Sequence, residues 1–156
     1  MSEKNVSIII PSYNRAHILK EVIPSYFQDE TLEVIVINDG STDNTNSVLA
    51  ELKEKYSQLV ILENETNKKQ MYSKNRGIEI AKGKYIFFGD DDSYLLPGVI
   101  SRLLATKYET GADVIGARIL YMNNNEKTIE DCINRHKKEG RFVSDLNRLD
   151  FSYTSD

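Results

Sequence analysis

Four short runs of β-branched and aromatic residues, each ending at polar residues, limit the possible folds more than any other feature. They are Val6-Ser7-Ile8-Ile9-Ile10, Val34-Ile35-Val36-Ile37, Leu59-Val60-Ile61-Leu62 and Tyr85-Ile86-Phe87-Phe88. The runs are nearly continuous in apolar character, so each reads as a strand buried on both faces. Between them lie stretches with helical spacing. Residues 15–27 carry Ile18, Leu19, Val22, Ile23 and Tyr26, with Pro24 expected to kink or shorten the helix. A second helix, with Ser41, Thr42 and Asp43 as candidate N-caps, runs to about residue 56 and carries Val48, Leu49 and Leu52. A third covers 71–81, with Gly83 suited to stopping it. Pro97-Gly98 opens a helix over 99–108, and 112–122 reads as a fifth strand. Strands alternating with amphipathic helices give an α/β fold, a mostly parallel sheet covered by helices on both faces.

The chain of 156 residues fits one domain. Residues 1–122 are expected to form the α/β body, and 123–156 a partly irregular segment of the same domain, incomplete on its C-terminal side. In that segment Phe142, Leu146, Leu149 and Phe151 are scattered without a clear period. A net charge of -4 argues against a nucleic-acid partner, which normally meets a basic surface. Cys132 is the single cysteine, so an intrachain disulfide is excluded and a reducing, cytoplasmic setting is expected. No apolar run approaches the roughly 20 residues of a membrane span, so nothing in these residues anchors itself by a helix. A membrane-bound acceptor or an anchor outside them stays open, and the cytoplasm or the cytoplasmic face of a membrane is the expected place. An incomplete body would expose apolar surface, for which self-association is one remedy.

The polar residues gather where such a sheet binds ligands, beyond the carboxyl ends of the strands. Pro11-Ser12-Tyr13-Asn14 leaves the first strand, Asn38-Asp39-Gly40-Ser41 the second and Gly89-Asp90-Asp91-Asp92 the fourth. If strands one and four are neighbours, these loops line one crevice. Unit charges about 5 Å apart repel by roughly 3 kcal/mol at an effective dielectric of 20, so three adjoining acids invite a cation. Magnesium typically takes one or two carboxylates plus substrate phosphates. The bland alternative is a solvated acidic turn capping the helix near Val99. Asp39 reads either as a turn residue or as an acceptor for a nucleoside. Tyr13 reads either as a core aromatic or as a ring stacking on a base. Asp43 reads as a cap. Of Lys68, Lys69, Lys74 and Arg76, Lys74 is the first candidate for a phosphate or base contact. His17 and His136 read as surface residues, and Cys132 as inert.

Four motifs in order carry a resemblance. They are Val6-Ser7-Ile8-Ile9-Ile10-Pro11-Ser12-Tyr13-Asn14-Arg15; Val34-Ile35-Val36-Ile37-Asn38-Asp39-Gly40-Ser41-Thr42-Asp43; Lys74-Asn75-Arg76-Gly77-Ile78 with Ala81-Lys82-Gly83-Lys84-Tyr85-Ile86; and Gly89-Asp90-Asp91-Asp92-Ser93 followed by Pro97. Together they resemble family 2 glycosyltransferases. The resemblance implies a GT-A (Rossmann-like) fold and a nucleotide-diphosphate-sugar donor, a UDP-sugar first among them. It further implies an Mn2+ or Mg2+ ion, a glycan, lipid or protein acceptor, and inversion at the anomeric carbon. It places Tyr13 on the base and Asp39 in hydrogen bond to it. Pro11 and Ser12 would shape the pocket, Asp91 or Asp90 would reach the ribose, and Asp92 would ligate the metal with Asp90. At Lys74 many relatives carry arginine, which is not equivalent at a bidentate contact. The family's catalytic base lies in its second half. Asp145, Asp150 and Asp156 sit in no matching motif, so the chain is expected to supply the donor side and lack the base.

Three rival readings are weaker or less specific. A nicotinamide enzyme needs a glycine-rich turn after the first strand, where Pro11-Ser12-Tyr13-Asn14-Arg15-Ala16 stands instead. A phosphoacceptor receiver needs acids after strands one and three, where Pro11-Ser12 and Glu63-Asn64 stand. A module that binds a nucleotide sugar or a protein without chemistry is the serious alternative.

Overall fold

The computed structural model describes residues 3–117, 119–122 and 126–138. Two compact units divide at Arg102, the first being Met1–Arg102 and the second starting at Leu103. In the first, β1 (Val6–Ser12), β2 (Thr31–Asn38), β3 (Leu59–Glu63) and β4 (Tyr85–Phe88) form a sheet in the order β3-β2-β1-β4. All three pairings are parallel. The chain winds outward from β1 through β2 to β3, then crosses back to place β4 on the other side of β1. Strand order therefore reverses between β1 and β4.

The helices follow the apolar spacing. α1 (Ala16–Val22) ends in a 3-10 turn, Ile23–Tyr26, with Pro24 in its first positions, the shortening that a missing N–H imposes. α2 is Thr45–Lys55 and α3 is Lys69–Ile80. α4 (Val99–Thr110) is closed by Gly111 at φ 70, whose N–H donates to the carbonyl of Lys107. Gly83 does not stop α3 through a left-handed backbone. Its role is steric, since a Cβ there would lie 2.5 Å from the Ser7 nitrogen.

One face of the sheet presents Ile9, Ile35 and Ile37, with Val60, Leu62 and Ala81 packed around them. α3 lies against β1 and β2 on this face, and it comes close because Gly77 has no side chain. A Cβ at Gly77 would sit 2.5 Å from Ile9 Cγ2. The opposite face carries Ile8, Ile10, Val34 and Val36, all fully buried, so the two central strands are covered on both sides. β4 departs from the expectation of a buried strand. β1 is its one partner among the described strands, and Ile86 (39% exposed) and Phe88 (48%) face outward.

In the second unit, the strand expected over 112–122 does not form among the described residues. Val114 is 89% exposed and Tyr121 74%, and no described strand offers a ladder to that backbone. Within the segment expected to be partly irregular, α5 (Ile129–Lys138) forms, with Glu130 and Asp131 in its first turn and four basic residues in its last, matching the helix dipole. His136, expected at the surface, is buried, with Nε2 3.1 Å from Arg135 Nη2. Cys132 is buried too, and burial, followed by the charge of Glu126, pushes its thiol pKa up, as an inert thiol requires. Phe142, Asp145, Leu146, Leu149, Asp150, Phe151 and Asp156 lie outside the described residues.

Candidate functional site at the carboxyl edge of the sheet

The three polar loops meet at the reversal of strand order. Ser12 pairs in register with Asn38, and Pro11 with Ile37, so the loops after β1 and β2 leave side by side. β4 stops three residues earlier, where Ile9 faces Phe88, and the acidic loop then runs on beside the end of β1. Gly89 donates its N–H to the carbonyl of Ile9 at 3.0 Å, extending the pairing by one bond.

The first two loops are stitched to one another. Asn14 takes a left-handed φ of 54, a conformation asparagine tolerates. Its N–H donates to Ser41 Oγ at 2.9 Å, and its Oδ1 accepts from the Thr42 N–H at 2.8 Å. Asp43, expected as a cap, is not the N-cap residue itself, which is Asn44 for α2 and Arg15 for α1, but it braces the first N–H of both helices. Its carboxylate accepts from the N–H of Ala16, which opens α1, and of Thr45, which opens α2. Ser41 and Thr42, also candidate caps, are instead spent on the Asn14 loop. Held this way, Tyr13 projects at 43% exposure and is no core aromatic. Pro11 is half-buried, and Ser12 is buried.

Asp39 is buried at the end of β2, and its carboxylate organises the next crossover. Oδ1 accepts from Asn64 Nδ2 at 2.6 Å and from the Lys68 N–H at 2.8 Å, while Oδ2 accepts from the Lys69 N–H at 2.8 Å. Burial alone would raise its pKa. The bonds from Lys68, Asn64, Lys69 and Ser73 outweigh it and hold the carboxyl below its ordinary value. A carboxylate offers about four lone-pair sites, and these four donors occupy that capacity. Gly40 lets the chain turn here. Its φ is 69, and a Cβ would meet the Thr66 carbonyl carbon at 2.6 Å.

Asn64 was not among the candidates from sequence. It is buried, its amide also reaches Ser73 Oγ at 3.0 Å, and its own oxygen accepts from Arg76 Nη1 at 2.5 Å. Arg76 also donates to the Glu63 carbonyl at 2.7 Å, so this cation braces the Asp39 network. The ammonium of Lys74 lies 5.3 Å from the centre of the Phe88 ring, beside the end of β4.

The acidic loop is positioned by Tyr26, which sequence periodicity assigns to a helix core. Its buried hydroxyl accepts from the Asp90 N–H at 3.1 Å and lies 2.9 and 3.0 Å from the carbonyl oxygens of Asp90 and Ser93. Burial pushes this phenol up to about 12; the Asp90 N–H works against that, and the three acids add to it. Gly89 clears the ring's path, since a Cβ would lie 2.7 Å from Tyr26 Cε1.

Asp90 and Asp92 are exposed, and Asp91 is turned inward. Burial raises the Asp91 pKa. The Ser12 hydroxyl, Arg15 and the Tyr13 N–H lower it in part, while Asp92 adds to the rise. The Ser12 hydroxyl makes no hydrogen bond of normal geometry, yet it faces Asp91 closely enough to favour the ionised form. Arg15 bridges the two acids, with Nε 3.4 Å from Asp91 Oδ1 and Nη2 3.3 Å from Asp92 Oδ2. Among the described residues no three His, Cys, Asp or Glu side chains gather so as to hold a metal ion by themselves. What is present fits the open kind of site. Carboxylates are the hard donors that Mg2+ and Mn2+ accept, the remaining ligands being water and substrate phosphate, and a positive group already bridges two of them.

A parallel sheet with acidic and aromatic loops meeting at its reversal point is the GT-A arrangement, and solved structures of that class superpose on it. S. aureus TarS in complex with UDP matches with a TM-score of 0.63 at 26% identity, covering 78% of this chain and 40% of that one. A mannosyltransferase from Pyrobaculum calidifontis, in complex with GDP-Man and Mn2+, matches with a TM-score of 0.60 at 25% identity, covering 72% and 34%. A GalNAc(5)-diNAcBac-PP-undecaprenol beta-1,3-glucosyltransferase of Campylobacter jejuni is 34% identical over 125 residues, 77% of this chain and 40% of its own length. The family model for glycosyl transferase family 2 matches residues 7–154. The chain belongs to glycosyl transferase family 2, and it spans two fifths or less of the length of these three proteins.

Proposed function

We propose that this chain is the donor-binding part of an inverting, metal-dependent glycosyltransferase that uses a nucleotide-diphosphate sugar. The observation that carries this reading is the convergence of Tyr13, Asp39 and the Asp90–Asp92 loop on one edge of the sheet. Tyr13 offers an exposed ring for a nucleobase, a contact worth roughly 1–3 kcal/mol. Asp39, held ionised by its donors, would accept from the base by exchanging one of the bonds it makes here. Pro11 and Ser12 would shape the base pocket. Asp91, or Asp90, faces the ribose, and Asp92 with Asp90 would hold Mn2+ or Mg2+. When bound, that ion supplies neutralisation of charge developing on the leaving diphosphate. Lys74 is placed to add a positive charge near the end of β4.

The reaction also needs a carboxylate to take the acceptor hydroxyl's proton for in-line attack, and none of the described residues is assigned to it. The donor is a UDP- or GDP-sugar by analogy with the solved relatives. The acceptor is a glycan, lipid or protein, and the reading puts the chain in the cytoplasm or on a membrane's cytoplasmic face. No described helix is long and apolar enough to cross a membrane. Exposed Ile86 and Phe88 on β4, and Ile78 and Ile80 on α3, support self-association.

Calorimetric titration of UDP, GDP and dTDP with and without Mn2+ tests the reading. Nucleotide binding that requires Mn2+ and disappears in Asp92→Ala supports a donor site. Absence of nucleotide binding under every condition overturns it in favour of an interaction module, and donor hydrolysis then reports whether chemistry accompanies binding.

A further inference from the structure

We propose that Arg15 is a built-in counter-ion of the acidic loop, displaced when metal and nucleotide load together, and that this displacement makes their binding interdependent. The proposal rests on the reading of Asp92 as a metal ligand. Arg15 is fixed at its root and loose at its tip. Its N–H donates to Thr45 Oγ1 at 3.2 Å, and its carbonyl accepts from the N–H groups of Ile18 and Leu19 at the start of α1. The guanidinium contacts Asp91 and Asp92 at 3.4 and 3.3 Å, longer than the 2.7–2.9 Å of tight charge-assisted bonds, and the side chain is 40% exposed. A head group on such a tether can leave its partners without disturbing the backbone.

Two properties of the guanidinium make departure consequential. It does not deprotonate in proteins, so its charge has to be accommodated wherever it goes. It also sits against one of the two Asp92 oxygens, Oδ2, and two cations on one carboxylate repel. Metal arriving alone therefore displaces Arg15 from Asp92 and leaves its guanidinium only the Asp91 contact. Metal arriving with a nucleoside diphosphate brings oxygens that suit a guanidinium fork. Eviction is then compensated, and each ligand strengthens the other's binding by the same factor.

Mn2+ binding alone, followed by the electron paramagnetic resonance signal of the free ion, is to be compared with calorimetry of UDP and GDP at fixed Mn2+. Arg15→Gln is expected to bind Mn2+ alone about fivefold tighter or more, and to lose at least about fivefold of the enhancement that nucleotide gives the wild type. Arg15→Lys retains the charge and is expected to stay close to wild type for Mn2+ alone. Arg15→Met supplies a second neutral variant that keeps the packing of the stem, with circular dichroism checking that each variant folds. Neutral variants that bind Mn2+ no tighter than wild type, or that keep the full nucleotide enhancement, overturn the proposal. If those variants are unchanged while Asp92→Ala abolishes Mn2+-dependent nucleotide binding, the counter-ion role alone fails. If wild type binds no nucleotide with Mn2+, the donor-site reading fails and takes this proposal with it.

Discussion

Replacing Tyr26 by phenylalanine removes one hydroxyl and orphans the buried end of the acidic loop. The Asp90 N–H loses its acceptor and the carbonyls of Asp90 and Ser93 lose a donor, so Tyr26→Phe should cost about 1–3 kcal/mol in urea denaturation. It should also weaken Mn2+-dependent nucleotide binding, although Tyr26 is no ligand. The two informative carboxylates respond to pH in opposite senses. Asp39 has a folded pKa below its ordinary 3.8, so its stabilising contribution is present above 3.8 and lost as pH falls through the folded value. Asp91 has a folded pKa above 3.8, so its contribution is full below 3.8 and lost as pH rises through the folded value. Asp91→Asn should therefore be more stable than wild type at pH 7, with the advantage shrinking towards pH 4 in paired denaturation curves, while nucleotide binding falls. Asp39→Asn should lose stability at pH 7, because an amide oxygen cannot serve three donors and its NH2 faces them instead. The acids and Tyr13 were legible in the sequence because unusual residues stood at strand ends. Tyr26, Asn64 and Arg15 were not, because each acts through a partner 12 to 77 residues away. Local spacing carries no trace of such a bond.

At the level of elements, the four strands and the first four helices emerged from periodicity to within a few residues. Long apolar runs and helical spacing are local properties, and the core between them is made of those same residues. The expectations that failed depended on neighbours. A strand over 112–122 needs a ladder, and no described strand supplies one. β4 has the composition of a buried strand, but an edge position decides its exposure. Gly77 shows the same dependence on tertiary contact. Alanine would favour α3 by about 1 kcal/mol on propensity alone. Its Cβ would press on Ile9 Cγ2 from 2.5 Å, where overpacking typically costs 1–3 kcal/mol. Gly77→Ala should therefore lower stability by up to about 2 kcal/mol once the propensity gain is subtracted, read from the denaturation midpoint.

For the whole molecule, the outer edge of β4 has no described neighbour, a usual route to pairing between chains. Ile86→Lys should leave the sheet intact, since that side chain is already partly in water, and should reduce any concentration-dependent association seen by sedimentation velocity. The winding of the sheet also imposes a timetable. The β1 and β2 loops lie close in sequence and can join early, as Asn14 and Ser41 are 27 residues apart. The contacts that seat the acidic loop span 64 to 77 residues, and the chain closes its most distant contacts against the greatest loss of freedom. The acidic corner is thus among the last features assembled. Added Mn2+ and nucleotide should accordingly slow unfolding while leaving the refolding rate almost untouched, the kinetic signature of a ligand that meets only the finished article.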